Sequence, residues 1–182
     1  MENNSENIKI HPYFIETLFG YKSKMFRVFR DVLGIHEINH ISITRVNSQG
    51  QLLVLSSTPA MEFNLFTSNL WRFDNSYNSE WFYSCLQAEW RSLYAPERYD
   101  ELYYLKQIKH QLPLGQSLAA RQANNHYIYS IASKRESPDA QDIFHASRDN
   151  FYKIGQYCTQ LLLPYFEEQE FRLSESYQEE LI

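Results

Sequence analysis

The sequence predicts an α+β domain: an antiparallel sheet of about four or five strands, flanked by helices, with long helices near both ends. Three observations carry this. Two stretches read as β-hairpins, long apolar stripes at helical spacing lie on either side of them, and an aromatic-rich segment with helix-start signals separates the two hairpins. At 182 residues the chain suits one domain with a sizeable core. That domain is expected over 12–171, between polar tails at 1–11 and 172–182.

The first helix is expected over 12–33. Pro12 fits a first helical turn. Phe14, Leu18, Tyr21, Met25, Val28 and Val32 recur at steps of three and four, and Phe19, Phe26, Phe29 and Leu33 form a second stripe beside them. The combined apolar face is wider than a surface helix needs. Gly34 is a natural C-terminal stop. Strands are expected over 37–46, with Ile41, Ile43 and Val46, and over 51–57, with the run Leu-Leu-Val-Leu. Asn-Ser-Gln-Gly at 47–50 joins them as a turn.

Thr58 before Pro59 reads as an N-cap, opening a short helix over 60–70. A loop follows over 71–79, around Asp74-Asn75-Ser76. Two more helices are expected, over 80–93 after Ser79 and over 97–110 after Pro96. The second hairpin pairs 116–122 with 127–133 across a turn at 123–126, where asparagine tolerates positive φ. Ser137-Pro138-Asp139 marks a helix start. A final helix is expected over 141–171, kinked or interrupted near Leu163 by Pro164, and the polar tail beyond it is expected to fray.

Composition narrows the function. The formal charge is −5 with mixed signs, which argues against a general nucleic-acid or membrane-surface binder. No stretch reaches the roughly 20 apolar residues of a membrane span. Residues 1–9 are polar and do not read as a secretory signal, so the cytoplasm is the expected compartment. Cys85 and Cys158 are far apart, without a CxxC pair, and both are expected to be buried and inert. The histidines at 11, 36, 40, 110, 126 and 145 show no metal-ligand spacing; His36 and His40 straddle a loop–strand junction rather than a helix face. There is no GxSxG, HExxH or phosphate-cradling glycine loop, so neither an enzyme nor a cofactor or metal site is expected. Glu89, Glu97, Asp100 and Glu101 alternate with Arg91, Arg98 and Lys106 and read as a solvated, ion-paired helix face rather than catalytic carboxylates.

Aromatic content is 16%, and all three tryptophans fall within 71–104. Such a cluster can line an apolar pocket, fill the sheet–helix core or face a partner. The order helix, two strands, helices, two strands, helix is the layout of GAF- and PAS-like sensor folds.

Over residues 12–171 the chain resembles the autoinducer-binding domain of LuxR-type bacterial transcription regulators. The resemblance rests on the opening helix ending in Leu33-Gly34-Ile35, on the insert with Trp71, Trp81 and Trp90, and on Leu112-Pro113-Leu114 leading to a hairpin that closes on Ile131-Ala132-Ser133. It implies a ligand-sensing regulatory domain that binds a small amphipathic molecule between sheet and insert. It further implies ligand contacts from Trp71, Trp81, Tyr83, Trp90, Tyr103 and Tyr129, and it favours a homodimer through the terminal helices, whose apolar stripes could otherwise pack on each other or on the sheet. The family's Asp-Pro pair, whose aspartate grips the ligand amide, is absent. The family continues into a DNA-reading helix-turn-helix, which these 182 residues do not contain, so no direct nucleic-acid binding is expected. A protein-interaction module on the same fold, without a small ligand, is the alternative.

Overall fold

The computed structural model describes residues 7–84 and 86–182. The fold is α+β. Its sheet is built from β1 (Lys9–Ile10), β2 (His40–Val46), β3 (Gln51–Ser56), β4 (Gln87–Glu89), β5 (Leu114–Gln122) and β6 (Asn125–Ser133), in the order β1-β3-β2-β6-β5-β4. The sheet is mixed, not purely antiparallel. Residues 9–10, expected to lie in a tail, pair in parallel with β3.

The first hairpin forms with the expected turn, but its first strand starts at His40 rather than at 37, because Ile35–Glu37 form a 3-10 turn. Asn47 Oδ1 accepts the backbone N–H groups of Gln49 and Gln51, and Gly50 takes φ +74 to close the turn. The second is tighter than expected. Gln122 pairs with Asn125, so only Ala123 and Asn124 form the link, and Ala123 rather than an asparagine takes the positive φ, +54.

The opening helix is not continuous. It divides into α1 (Phe14–Gly20) and α2 (Lys22–Arg30), with Tyr21 between them out of helical geometry. Gly20 weakens the helix there. Tyr21 is held elsewhere: its ring lies 4.8 Å from that of Tyr165, and its hydroxyl donates to Glu168 at 2.7 Å.

After α3 (Pro59–Thr67), the insert departs most from the expected pair of helices. It contains α4 (Ser79–Phe82), the edge strand β4, α5 (Trp90–Leu93), α6 (Tyr99–Tyr103) and a π-helical turn over Tyr104–Lys109. Residues 87–89 pair with β5 instead of continuing a helix, and Gln87 Nε2 donates to Gln116 Oε1 at 2.6 Å.

At the C-terminal end, α7 (Pro138–Ala146) and α8 (Arg148–Glu180) are separate helices. Pro164 does not interrupt α8. Leu162 and Phe166, on either side of it, are both fully buried and hold the two halves in place. The tail expected to fray continues α8 to Glu180.

Pairing register assigns the two faces of the sheet, because side chains alternate along each strand. On one face Ile41, Ile43, Tyr127, Tyr129 and Ile131 stand together, and α8 lies against them. Gly155 of α8 allows the contact: a Cβ there would fall 2.2 Å from the Tyr129 ring. The insert covers the opposite face. Among the described residues no helix is long and apolar enough to cross a membrane.

Candidate functional site

The strand β2 reads His-Ile-Ser-Ile-Thr-Arg-Val, and all seven residues are buried. His40, Ser42 and Thr44 point towards the insert, while Ile41, Ile43 and Arg45 point towards α8. The register extends the polar set sideways. Ser56 of β3 and Ser130 of β6 stand opposite Ser42, and Ser117 of β5 stands opposite Ser130. All of these side chains are buried. A sheet centre normally packs aliphatic groups against its covering layer, because a buried hydroxyl costs free energy unless it is hydrogen-bonded.

The insert partners one of these hydroxyls and pairs polar groups of its own. Trp90 donates its indole N–H to Ser130 Oγ at 3.2 Å. Gly115 lies beneath it and leaves room for the ring: a Cβ there would fall 2.0 Å from the indole. Tyr94 donates its hydroxyl to Gln107 Oε1 at 3.0 Å. Asp74 Oδ1 accepts the N–H and the hydroxyl of Ser76, and Asp74 Oδ2 accepts Lys106 Nζ at 2.7 Å. From α3, Glu62 accepts the Ser56 hydroxyl at 3.3 Å, and its Oε1 lies 3.6 Å from His40 Nε2. His40 Nδ1 meets the Thr58 hydroxyl at 2.9 Å.

Burial dominates the electrostatics. It raises Glu62 to about 7, opposed by Lys106 and by the hydroxyls of Ser56 and Ser42. It lowers His40 to about 3, and the charge of Lys106 adds to this. Burial also raises Tyr77 and Tyr94, with the nearby carboxylates contributing. The imidazole is therefore neutral at physiological pH, and the carboxyl is poised to titrate. Some hydrogen-bonding capacity is left over: His40 Nε2, Trp71 Nε1 and Gln107 Nε2 are buried without a partner.

Two clefts reach this layer from outside. One, of about 290 Å³, is bounded by Ile8, Trp71, Tyr77 and Asn78. The other, of about 170 Å³, is bounded by Trp90, Gln107, Gly115 and Phe144.

The residues expected to contact a ligand fall in three places. Trp71 and Trp90 are buried on the insert side; Trp71 stacks on Phe66 at 5.6 Å. Trp81, Tyr83 and Tyr103 stand further out. Trp81 is half-buried against the core, Tyr83 is 43% exposed with its ring 4.4 Å from that of His126, and Tyr103 stacks on Tyr99 under Arg91. Tyr129 lies on the opposite face, against α8.

Sequence reasoning missed Ser42, Thr44, Glu62, Asp74 and Lys106. A signal was present in the alternation His-x-Ser-x-Thr within an otherwise apolar strand. Lys106 was expected on a solvated face and is instead 2% exposed. Cys158 is buried, its thiol pushed up to about 12 chiefly by that burial; Cys85 lies outside the described residues. No group of three or more His, Cys, Asp or Glu side chains among the described residues is placed to hold a metal ion.

No protein-family model matches the sequence, and no curated protein does. Solved structures do match. Escherichia coli SdiA aligns with a TM-score of 0.55 at 14% identity, over 85% of this chain and 68% of that one. SdiA in complex with octanoyl-rac-glycerol aligns at 0.51 and 14% identity, over 81% of this chain and 59% of that one. CepR2 from Burkholderia cenocepacia, an N-acylhomoserine lactone dependent LuxR-family transcription factor, aligns at 0.56 and 10% identity, over 82% of this chain and 98% of that one. The resemblance to LuxR-type autoinducer-binding domains therefore holds at the level of the fold.

Proposed function

We propose that this chain is a ligand-sensing regulatory domain, not an enzyme, acting in the bacterial cytoplasm and signalling through its terminal helices. A small amphipathic molecule binds between sheet and insert. One observation carries the reading: a buried polar stripe runs across the sheet under an aromatic roof, with unused donors and a cleft at either end. A ligand head group meets Trp71 Nε1 at one cleft or Gln107 Nε2 at the other, and the apolar remainder packs on the aromatic side chains beside that cleft. Trp81, Tyr83 and Tyr103 lie further out, where they can guard entry. Tyr129 acts from behind the sheet, through α8. Binding favours one packing of insert on sheet over others, and that difference in free energy is the signal.

The neighbours supply probes: octanoylglycerol, found bound to SdiA, and an N-acylhomoserine lactone, on which CepR2 depends. A ligand at a hundred times its Kd adds about 2.7 kcal/mol to stability. For a chain of this size that raises Tm by roughly 5–10 °C. Native mass spectrometry of the purified protein should show an adduct that is lost on denaturation. An unliganded mass together with an unmoved Tm for both probes counts against the reading.

A second reading, an interaction module on the same fold, is favoured by one feature. A groove of about 770 Å³ between α2 and the start of α3 is lined by Leu18, Met25, Phe26, Phe29 and Leu33. Phe26 is 68% exposed. An apolar surface of this kind suits a partner, including a second copy of the chain.

A further inference from the structure

Lys106 is an unusual residue to find in the interior. A lysine amine is strongly hydrated and is almost never fully buried unless paired. Here it projects from the π-helical turn over Tyr104–Lys109 into the layer between insert and sheet. Its Nζ lies 2.7 Å from Asp74 Oδ2, 4.5 Å from the Trp90 ring centroid and 5.5 Å from the Tyr94 ring centroid. Each wall is fixed independently of the lysine. Trp90 is held by Ser130 and by its seat on Gly115. Tyr94 is held by Gln107, and its backbone bridges to Asp74. Asp74 is held by both donors of Ser76. Glu62, whose carboxyl burial raises to about 7, lies close enough to feel both Lys106 and Asp74 and adds negative charge only as it ionises.

A carboxylate and two aromatic faces around one ammonium make the arrangement by which proteins recognise cationic amines. We propose that the interior contains a cation cage built by Asp74, Trp90 and Tyr94, that Lys106 is its resident tethered occupant, and that a small primary alkylammonium ion is the class of molecule the cage accepts when the lysine is withdrawn. The tether fastens three segments of the insert to one another from within, and Trp90 carries that packing to the sheet through Ser130, so the insert needs no external molecule at this point. The inference stands on the buried geometry alone and is independent of whether an amphipathic ligand binds elsewhere in the layer.

The test is chemical rescue. Lys106→Ala deletes the side chain beyond Cβ, and n-propylammonium replaces the deleted atoms. Removing one partner of a buried ion pair leaves the other uncompensated, so Tm of Lys106→Ala should fall by about 10 °C or more. Propylammonium chloride should restore much of that loss with saturation. Sodium chloride at equal ionic strength and 1-propanol should not, and the Asp74→Asn/Lys106→Ala double variant should not respond. Rescue by propanol as strong as by propylammonium, or no rescue at all, would overturn the proposal. Should Lys106→Ala fail to fold, its refolding yield with propylammonium against sodium chloride is the readout, judged by the same outcomes. A second pair keeps the charge argument separate: Lys106→Met should be less stable than Asp74→Asn/Lys106→Met. The reverse order would overturn the claim that Asp74 holds the ammonium as a charged partner.

Discussion

Glu62 and His40 sit side by side in the interior and respond to pH in opposite directions. Glu62 is raised from its ordinary 4.5 to about 7, so the folded chain keeps a proton that the unfolded chain has already lost. Its contribution to stability is whole below about 4.5 and is lost as pH rises through 7. His40 is lowered from 6.5 to about 3; its contribution is whole above 6.5 and is lost as pH falls towards 3. Between these limits the two trends oppose each other and flatten the profile. Glu62→Gln removes one of them. The stability of this variant relative to the parent should therefore rise by about 3 kcal/mol between about pH 5 and about pH 8. Denaturant unfolding at the two pH values measures this, and an equal difference at both would show that Glu62 does not titrate in the folded interior. Gly115 makes a second prediction at this scale. Gly115→Ala pushes a methyl group into the Trp90 indole. It should cost about 1–3 kcal/mol, the usual cost of overpacking, and shift the tryptophan emission; unchanged emission and stability would mean that the insert can move away from the sheet.

Among the elements, those fixed by local chemistry were legible in the sequence. The β-branched alternation around Ile41 and Ile43, the Asn47–Gly50 turn chemistry and the Thr58-Pro59 start signal all lie where the structure has β2, the first hairpin and α3. Elements fixed by tertiary partners were not legible. Residues 87–89 have helical neighbours in sequence but are drawn out by the free edge of β5, a partner remote from them in the chain. The break at Tyr21 depends on Glu168 and Tyr165, and the buried site depends on Asp74 meeting Lys106, thirty-two residues away. Nothing local distinguishes Lys106 from the solvated lysines around it. Pro164 shows the same override in energetic form. A proline inside a helix removes a hydrogen bond and crowds the preceding turn, at a cost of roughly 3 kcal/mol, yet α8 runs through it because Leu162 and Phe166 are anchored in the core. Pro164 itself is exposed. Pro164→Ala should therefore stabilise the protein by about 1–3 kcal/mol without altering its fold. A neutral or destabilising result would show that the proline fits a bend on which the packing of α8 depends.

At the scale of the whole molecule, the sheet separates two unlike interiors. The layer under the insert is polar and carries charge, whereas the layer under α8 is largely aliphatic and aromatic. A change in the insert reaches α8 by two routes: through strands that carry Ser130 on one side and Tyr129 on the other, and at the sheet edge, where Arg148 of α8 donates to Gln87 of β4. The outer surface has its own asymmetry. The first of the two apolar stripes on α1 and α2 is largely consumed by the core, through Phe14, Leu18 and Met25. The second leaves Phe19 and Phe26 exposed, and Phe63 of α3 lies beside Phe19, the two rings 5.6 Å apart. If this face joins two copies of the chain, sedimentation velocity should show a dimer that dissociates on dilution, and Phe26→Asp should yield a monomer at every concentration. Because Phe26 is mostly exposed in the single chain, that substitution should change monomer stability by no more than about 0.5 kcal/mol. The pairing of those two results matters. Loss of the dimer together with a large loss of stability would mean that Phe26 supports the fold of α2 rather than an interface. A parent chain that stays monomeric throughout would rule out self-association and leave the groove to a partner of another kind.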